Sequence, residues 1–337
     1  MGQTVVFTVS LDADHVDIGQ TQPRPPRRAL RDAALTAWRD PHWRYAALAV
    51  LAVPALAAGV TALVTGGAWV TTVLLVAAAV VTMASGAWAA ARPATGAVTA
   101  RLAAWLVSGA AGLVLGLVSL PGVILAAVHE QWRGQAALAT VTVLALTGAA
   151  GAWLGLSVAS LVHQRLGPRP RGLAALAALA LVLVPLALAA ALLPQTRVDE
   201  QIVAHTFTTD YVGGMPAYIC GSETVEVSRT HTENVAWMAL VSPMAWVVDA
   251  PSFTVTELAF ARQGTAAKAQ AWVRSTRWGP DSFTGYCFQP TSLGPPTAVK
   301  EARYEGVTPV GARVAMSVAA VLGAAALGLT LRRRQSS

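Results

Sequence analysis

Two long apolar runs between Leu102 and Val162 constrain this chain more than any other feature. Only the short polar segment from His129 to Gln135 separates them, and neither run contains a charge. Each run has roughly the 20 apolar residues that a helix needs to cross about 30 Å of hydrocarbon. The pattern therefore predicts a hairpin of two transmembrane helices.

Glycines at a spacing of one helical turn predict how this hairpin packs. Gly112 and Gly116 lie on the first run, and Gly151 and Gly155 repeat the spacing on the second. Small residues at this interval let two backbones approach closely inside a membrane. An alanine-rich chain also produces such pairs by chance, so both readings stay open from the sequence.

The composition excludes an ordinary soluble domain. Hydrophobic residues make up 55% of the chain, charged residues 12%, and the mean hydropathy is +0.53. These values are typical of polytopic membrane proteins. The net charge of +7 is therefore interpreted as a topology signal rather than a nucleic-acid surface, and we expect no nucleic-acid partner.

Six apolar runs in total are long enough to span a bilayer. They are Ala46–Val64, Ala68–Ala91, Leu102–Val128, Ala136–Val162, Leu173–Leu193 and Val310–Leu331. The predicted fold class is an all-α polytopic membrane protein with six transmembrane helices. Helices one to five occupy residues 46–193 and the sixth occupies 310–331. A small mixed α/β extracytoplasmic domain is expected between them, at residues 194–309.

The arginines set the predicted orientation. They cluster at the ends that share a side with both termini: Arg24, Arg27, Arg28, Arg31, Arg39, Arg44, Arg92, Arg101, Arg165, Arg169, Arg171, Arg332, Arg333 and Arg334. Positive charge next to a span marks the cytoplasmic side. We therefore expect a multi-pass protein of the cell (plasma) membrane with cytoplasmic tails at residues 1–28 and 332–337. No cleavable signal peptide is expected, so the first membrane helix should direct insertion.

The residues before the first span are interpreted as an amphipathic helix in the membrane interface, at 29–45. Its apolar residues recur at helical spacing between arginines, and Trp38, Trp43 and Tyr45 would lie at headgroup depth. A plain juxtamembrane linker is the alternative. For residues 4–9 of the tail, the sequence fits either a strand or an unstructured segment.

Cys220 and Cys287 are the only cysteines, and both fall in the segment expected outside the membrane. An even number of cysteines in an exported region predicts one disulfide, although two free thiols are the alternative. His205 and His231 lack the spacing of zinc ligands, so no metal site is expected.

One apolar stretch of the exported segment, Asn234–Pro251, is too short to span the bilayer. It is either a buried core helix or an interfacial helix anchored by Trp237 and Trp246, and we favour the interfacial placement. Other elements of this segment are predicted as strands at 201–208 and 224–228 and as a helix at 266–278.

Several kinds of machinery are absent from the sequence. No charged residue or histidine lies in the middle of any span, which argues against an ion-coupled transporter. GxxxxGK[ST], GxSxG and HExxH motifs are missing, so we expect neither an enzyme nor a cofactor bound by this chain. Polar groups in the spans are few: Thr71, Thr72, Thr82, Ser85, Ser108, Ser119, Thr140, Thr142, Thr147 and Ser157. This small number of polar groups favours an amphipathic or lipidic substrate if the protein is a transporter.

Four stretches carry a resemblance to a known family. They are residues 96–106 leading to Ser119-Leu120-Pro121, residues 153–161, residues 234–251 with their Asp-Ala-Pro ending, and residues 323–334. With these stretches the chain resembles the permease subunits of type-2 ABC exporters, particularly the actinobacterial group with a long external segment before the last helix. It departs from that pattern at residues 92–101, where this chain has no acidic residue.

The resemblance implies a permease that exports its substrate with ATP hydrolysed by a separate subunit. That ABC ATP-binding subunit would hold the ATP and Mg, and a second permease chain, identical or not, would complete the pore. The contacts of the ATP-binding subunit on this chain would include Arg31, Trp38, Arg92 and Arg101. The competing hypothesis is a membrane-anchored sensor or envelope assembly protein that binds through its extracytoplasmic domain.

Overall fold

The computed structural model of the 337-residue chain describes residues 26–67, 69–92, 94, 97–132, 134–162, 170–212, 215–250, 265–279, 283–284 and 310–332. The N-terminal helix and the first five spans are α1 (Pro26–Arg39), α2 (Pro41–Thr65), α3 (Val70–Ala90), α4 (Val98–Leu117) continued by α5 (Leu120–His129), α6 (Gly134–Val162) and α7 (Pro170–Leu192). Then follow β1 (Arg197–Val212), β2 (Met215–Thr230), α8 (Glu233–Ala239), α9 (Pro243–Asp249), α10 (Thr265–Trp278), β3 (Phe283–Thr284) and α11 (Gly311–Arg332).

Six helical segments of the described part of the chain are long and apolar enough to cross a membrane, in agreement with the six predicted spans. They are α2, α3, α4 with α5, α6, α7 and α11. Consecutive spans run in opposite directions, so the bundle has two ends. We call the end where α2 begins the proximal end and the opposite end, where α11 begins, the distal end.

The core of the bundle is α6, the most buried of the spans. It packs against α3, α4, α7 and α11. On the α4 side, a Cβ added at Gly112 or Gly148 would collide with the backbone of the facing helix. The two backbones are therefore in direct contact, which is how helices gain dispersion energy in lipid.

The second glycine pair has a different partner from the one expected. Gly151 and Gly155 lie against the backbone of α3, at Met83 and Ala87, and not against α4. The hairpin interface instead uses Gly148 on α6. Of the two open readings, the structure favours close packing at these glycines, whereas their spacing alone does not distinguish α3 from α4 as the partner of the second pair.

Two tryptophans join three spans near the proximal half of the bundle. The rings of Trp105 on α4 and Trp153 on α6 stack with centroids 5.5 Å apart. Trp105 Nε1 donates to the carbonyl of Gly323 on α11 at 2.8 Å, and Trp153 Nε1 donates to the carbonyl of Trp105 at 3.3 Å. Both indole N–H groups are therefore satisfied inside the bundle.

The third span is interrupted between α4 and α5. Pro121 lies in the first turn of α5 and has no backbone N–H, so the α4 hydrogen-bond ladder cannot continue through it. The Ser119 hydroxyl donates to the carbonyl of Gly116 at 2.6 Å. A side-chain hydrogen bond thus satisfies one carbonyl at the break.

The predicted helix at 29–45 is in fact two helices. α1 ends at Arg39, and α2 begins at Pro41 with Asp40 as its N-cap. Asp followed by Pro is a strong helix-start signal, because Asp caps the first N–H groups and Pro fits the first turn. Trp38 and Tyr45 are exposed, while Trp43 packs partly into the bundle.

The segment between the fifth and sixth spans begins with a long hairpin. β1 and β2 pair antiparallel from Arg197 opposite Thr230 to Val212 opposite Met215, so both strands are longer than predicted. β3 adds a short parallel pairing to β1, giving the order β2-β1-β3. The helix α10 agrees with its predicted position and packs on α8 and α9.

The apolar stretch at 234–251 forms two short helices instead of one. Ser242 caps α9 by accepting from the backbone N–H of Met244, and Pro243 occupies the first position, so the helix restarts there. Trp246 is 0% exposed and donates from Nε1 to the carbonyl of Leu240 at 2.7 Å. It is therefore a core residue and not an interfacial anchor, whereas Trp237 is 60% exposed.

We predict that Gly148→Ala destabilises the bundle, because its Cβ would meet the carbonyl oxygen of Gly112. Overpacking of this kind costs about 1–3 kcal/mol. The thermal unfolding midpoint of detergent-purified protein measures the effect. Gly59→Ala is the matched control, since nothing lies within 4 Å of the added Cβ in α2. Equal midpoints for the two variants would contradict direct backbone contact at Gly148.

Candidate functional site

A polar cluster built around a buried carboxylate lies at the proximal end, where three spans meet. It consists of Asp40 and His42 at the start of α2, Arg92 just after α3 and Arg171 in the first turn of α7. Asp40 is only 4% exposed. A buried carboxylate requires partners, and the geometry of the cluster supplies them.

Asp40 binds both of its neighbours through separate oxygens. Its Oδ1 lies 2.6 Å from His42 Nδ1 and accepts from the His42 backbone N–H at 3.1 Å. Its Oδ2 pairs with Arg92 Nη2 at 2.7 Å. The burial of Asp40 opposes ionisation, but the hydrogen bonds from His42 and the charge of Arg92 outweigh it, so the pKa of Asp40 lies below its ordinary value.

Arg171 extends the cluster to the fifth span. Its Nη1 lies 2.6 Å from His42 Nε2, and a guanidinium group can only donate, so the His42 nitrogen accepts this hydrogen bond. The ring also packs against Trp88 of α3, with centroids 4.9 Å apart. The side chain of His42 thus connects the first, second and fifth spans.

A cavity of about 320 Å³ lies beside this cluster. Asp40 and Arg92 form its charged part, and Thr36 of α1 and Ser108 of α4 add hydroxyl groups among apolar side chains. The cavity shows that α1 and the spans do not close completely at the proximal end.

The four residues predicted to contact an ATP-binding subunit divide into two groups. Arg31 and Trp38 lie exposed on α1, and Trp38 is 78% exposed. Arg92 pairs with Asp40, and Arg101 Nη1 donates to the carbonyl of Thr330 on α11 at 3.3 Å. The structure therefore presents the first two at the surface and ties the other two to neighbouring spans.

A second buried cluster, at the distal end, is built on Asp249. This residue is completely buried at the end of α9, and its Oδ2 accepts from the backbone N–H groups of Val310 at 2.7 Å and Gly311 at 3.0 Å. The carboxylate therefore caps the start of the sixth span and stabilises the positive end of its helix dipole. A Cβ at Gly311 would meet the carbonyl of Trp246, so α9 touches this helix start directly.

Two arginines of α10 share the Asp249 carboxylate. Arg277 Nη1 lies 3.5 Å from Oδ2, and Arg274 Nε lies 3.8 Å from Oδ1. Arg274 is 4% exposed, and its Nε and Nη2 have no hydrogen-bond partner. Burial lowers the pKa of Arg274 and the neighbouring Arg277 adds to the effect, while Asp249 opposes it. The described partners of Arg274 thus offset only part of the free-energy cost of burying its guanidinium group.

Glu130 holds the other end of α10. Its Oε1 accepts from the backbone N–H of Ala266 at 3.1 Å and from the Thr265 hydroxyl at 3.3 Å. Trp132 Nε1 donates to its Oε2 at 3.2 Å. The loop after α5 therefore caps α10 from outside, and α10 is fixed at both ends.

His231 joins the base of the hairpin to α8. Its Nε2 lies 2.6 Å from Glu200 on β1, and its Nδ1 lies 2.7 Å from Glu233 on α8. The hydrogen bond to Glu233 and then that to Glu200 raise the pKa of His231. Both ring nitrogens donate when the ring is protonated, so this junction favours the imidazolium form.

Most of these residues were not singled out by the sequence. Asp40, Arg171 and Asp249 each lie next to an apolar run, where charges are common, and their partners are distant in the chain. The dipeptide Asp40-Pro41 and the restart at Ser242-Pro243 were the usable local signals.

The structure describes only one of the two cysteines that were predicted to form a disulfide. Cys220 lies on β2 opposite Phe207, and Cys287 lies outside the described residues, so their pairing stays a prediction. Among the described residues no group of three histidine, cysteine or acidic side chains could hold a metal ion. The tail before residue 26 likewise lies outside the described residues.

Comparison with protein-family models, curated proteins and solved structures finds no match to this chain.

We predict that removing the charge of Asp40 weakens the junction of the first two spans. Asp40→Asn keeps a good N-cap but loses the ion pair with the half-exposed Arg92, so stability should fall by about 1 kcal/mol. Asp40→Ala loses the cap as well and should cost about 1 kcal/mol more. Unfolding in a denaturing detergent series measures both. An Asp40→Asn/Arg92→Gln double variant that shows simple additivity would disprove the pairing.

We predict a pH dependence at the base of the hairpin. Because the folded pKa of His231 is raised, its stabilising effect is fully present below its ordinary value of 6.5 and is lost as the pH rises through the raised value. Amide hydrogen exchange in α8 and β1 should accelerate over that interval, after correction for intrinsic exchange. His231→Gln should remove the dependence, and His129→Gln, at the end of α5, should retain it. A pH profile unchanged by His231→Gln would exclude this junction as the cause.

Proposed function

We propose that this chain is the membrane-spanning permease subunit of an ABC-type exporter, moving an amphipathic or lipidic substrate outward. The observation that carries the proposal is a six-span bundle whose charged residues lie only at the ends of the described spans. Such spans offer no binding group for a driving ion. The driving energy would come from ATP, bound with Mg by a separate subunit.

In this proposal the proximal end faces the cytoplasm and both termini lie there. Described arginines at that end are Arg27, Arg28, Arg31, Arg39, Arg44, Arg92, Arg101, Arg171 and Arg332. The described acidic residues at the same end are Asp32 and Asp40. This imbalance supports the cytoplasmic assignment through the positive-inside rule. The opposite end would be extracytoplasmic, and a disulfide between Cys220 and Cys287 is proposed on that side of the membrane.

The helix α1 is the proposed docking element for the ATP-binding subunit. It packs on α4, buries Ala29, and leaves Arg31 and Trp38 exposed. An exposed aromatic beside arginines is typical of a protein interface or a membrane surface. Because α1 continues into the Asp40 cluster, a displacement of α1 would be transmitted to the first, second and fifth spans. A second permease chain, identical or not, would complete the pathway.

The alternative is a membrane-anchored sensor or envelope assembly protein that binds through its extracytoplasmic part. The hairpin favours it: β1 and β2 are each 16 residues long, far above the usual length of about 5–6. β2 is an edge strand, to which a partner strand could add. The permease assignment is preferred because α9 and α10 are built onto the ends of the spans and do not form a tethered unit.

We predict that the double variant Arg31→Glu/Trp38→Ala reduces co-purification of an ATP-binding subunit at least about tenfold, since both side chains would leave the interface. The measurement is recovery of the nucleotide-hydrolysing partner with tagged chain from mild detergent. Lys268→Glu reverses an exposed charge on α10 and should leave recovery unchanged. Recovery of the wild-type chain with no ATPase whose activity it stimulates would count against the permease and favour the sensor.

A further inference from the structure

A small chamber lies at the distal end, between the ends of two spans and the three helices that cover them. Its volume is about 260 Å³, and its walls come from α3, α7, α8, α9 and α10. Leu186, Leu240, Met244 and Val273 are among its apolar lining residues. A space of this size and character fits part of one hydrocarbon chain.

Polar groups interrupt the apolar lining, among them Arg277 and Thr72. Arg277 contributes to the wall and is ion-paired with Asp249 at 3.5 Å. The Thr72 hydroxyl, at the start of α3, is buried and has no hydrogen-bond partner. A buried hydroxyl without a partner costs free energy, so a polar ligand atom would be stabilised beside it.

Among the side chains that the structure describes, the charge next to the chamber is positive. Arg274 lies one turn before Arg277 on α10, and both guanidinium groups contact the carboxylate of Asp249. That carboxylate already accepts two backbone N–H groups from the start of α11. Arg274 retains buried Nε and Nη2 donors without a hydrogen-bond partner. The nearby carboxylates of Glu130 and Glu233 are engaged by α10's first turn and by His231.

We propose that this chamber binds a single-chain amphiphile with an anionic head group. The chain would occupy the apolar space, and the head would lie at Arg277, where the positive charge of Arg274 adds to the attraction. Thr72 and Leu186 belong to the distal ends of two spans. The chamber would therefore lie at the edge of the membrane, which is the depth at which an amphiphile places its head. The identification of this ligand as the exported substrate rests on the proposed function, whereas its binding does not.

The test uses two photoreactive probes of equal chain length, dodecyl phosphate and dodecyl trimethylammonium, each with a diazirine on the chain. Purified protein in phosphatidylcholine nanodiscs is labelled and the modified peptides are mapped by mass spectrometry. Label from the phosphate is expected in α8 and α10, with at least about tenfold preference over the cation, as for one charged hydrogen bond. Equal labelling by both probes, or none in these helices, overturns the proposal.

Variants test whether the labelled site is the chamber. Val273→Trp should fill the chamber and abolish the label, and Arg277→Gln should weaken phosphate labelling about tenfold. Lys268→Gln removes an exposed charge from the same helix and should change nothing. Should Arg277→Gln fail to fold, the head-group preference of the wild type and the Val273→Trp variant still decide. No ATPase is present in this experiment, so a negative result rejects amphiphile binding in the chamber only. The permease proposal is tested separately by recovery of the ATP-binding subunit.

Discussion

Direct backbone contact along α6 is the interaction on which the rest of this structure depends. Lipid tails are as apolar as leucine, so the hydrophobic effect does not draw spans together, and close packing must do so. Gly148 meets α4, and Gly151 and Gly155 meet α3. Charged side chains are costly in the hydrocarbon region, which explains why those of the described spans lie at the ends of the bundle.

The two end clusters solve one problem in the same way. Each places a buried carboxylate at the first backbone N–H groups of a span: Asp40 at α2 and Asp249 at α11. Each carboxylate also pairs with arginine from another element, Arg92 at one end and Arg277 at the other. Glycine packing has little directional preference along a helix axis, whereas these bonds have strict geometry. The clusters therefore fix the axial positions of spans that the glycines hold together.

The sequence was sufficient to predict features that depend on local residue patterns, but not contacts between residues distant in the chain. Hydrocarbon-length runs located the six spans of the described residues, and glycine spacing offered close packing as one of two readings. The amphipathic helix and the stretch at 234–251 were each predicted as one helix because apolar periodicity outweighed the Asp40-Pro41 and Ser242-Pro243 restarts. The Arg171–His42 contact joins residues that no periodicity relates, and Trp246 is buried by helices far away in the chain.

The distal cluster makes the shape of the chamber depend on the sixth span. Asp249 is bonded to the first residues of α11, and Trp246 of the same short helix lies against Gly311, so α9 and α11 must move together. α9 also supplies Ala245 and Val248 to the chamber wall. A shift of α11 would therefore move one wall and, through Asp249, alter the pairing of Arg277. Packed interfaces of this kind change between discrete arrangements rather than deforming smoothly, so binding in the chamber and the position of the sixth span would be thermodynamically linked.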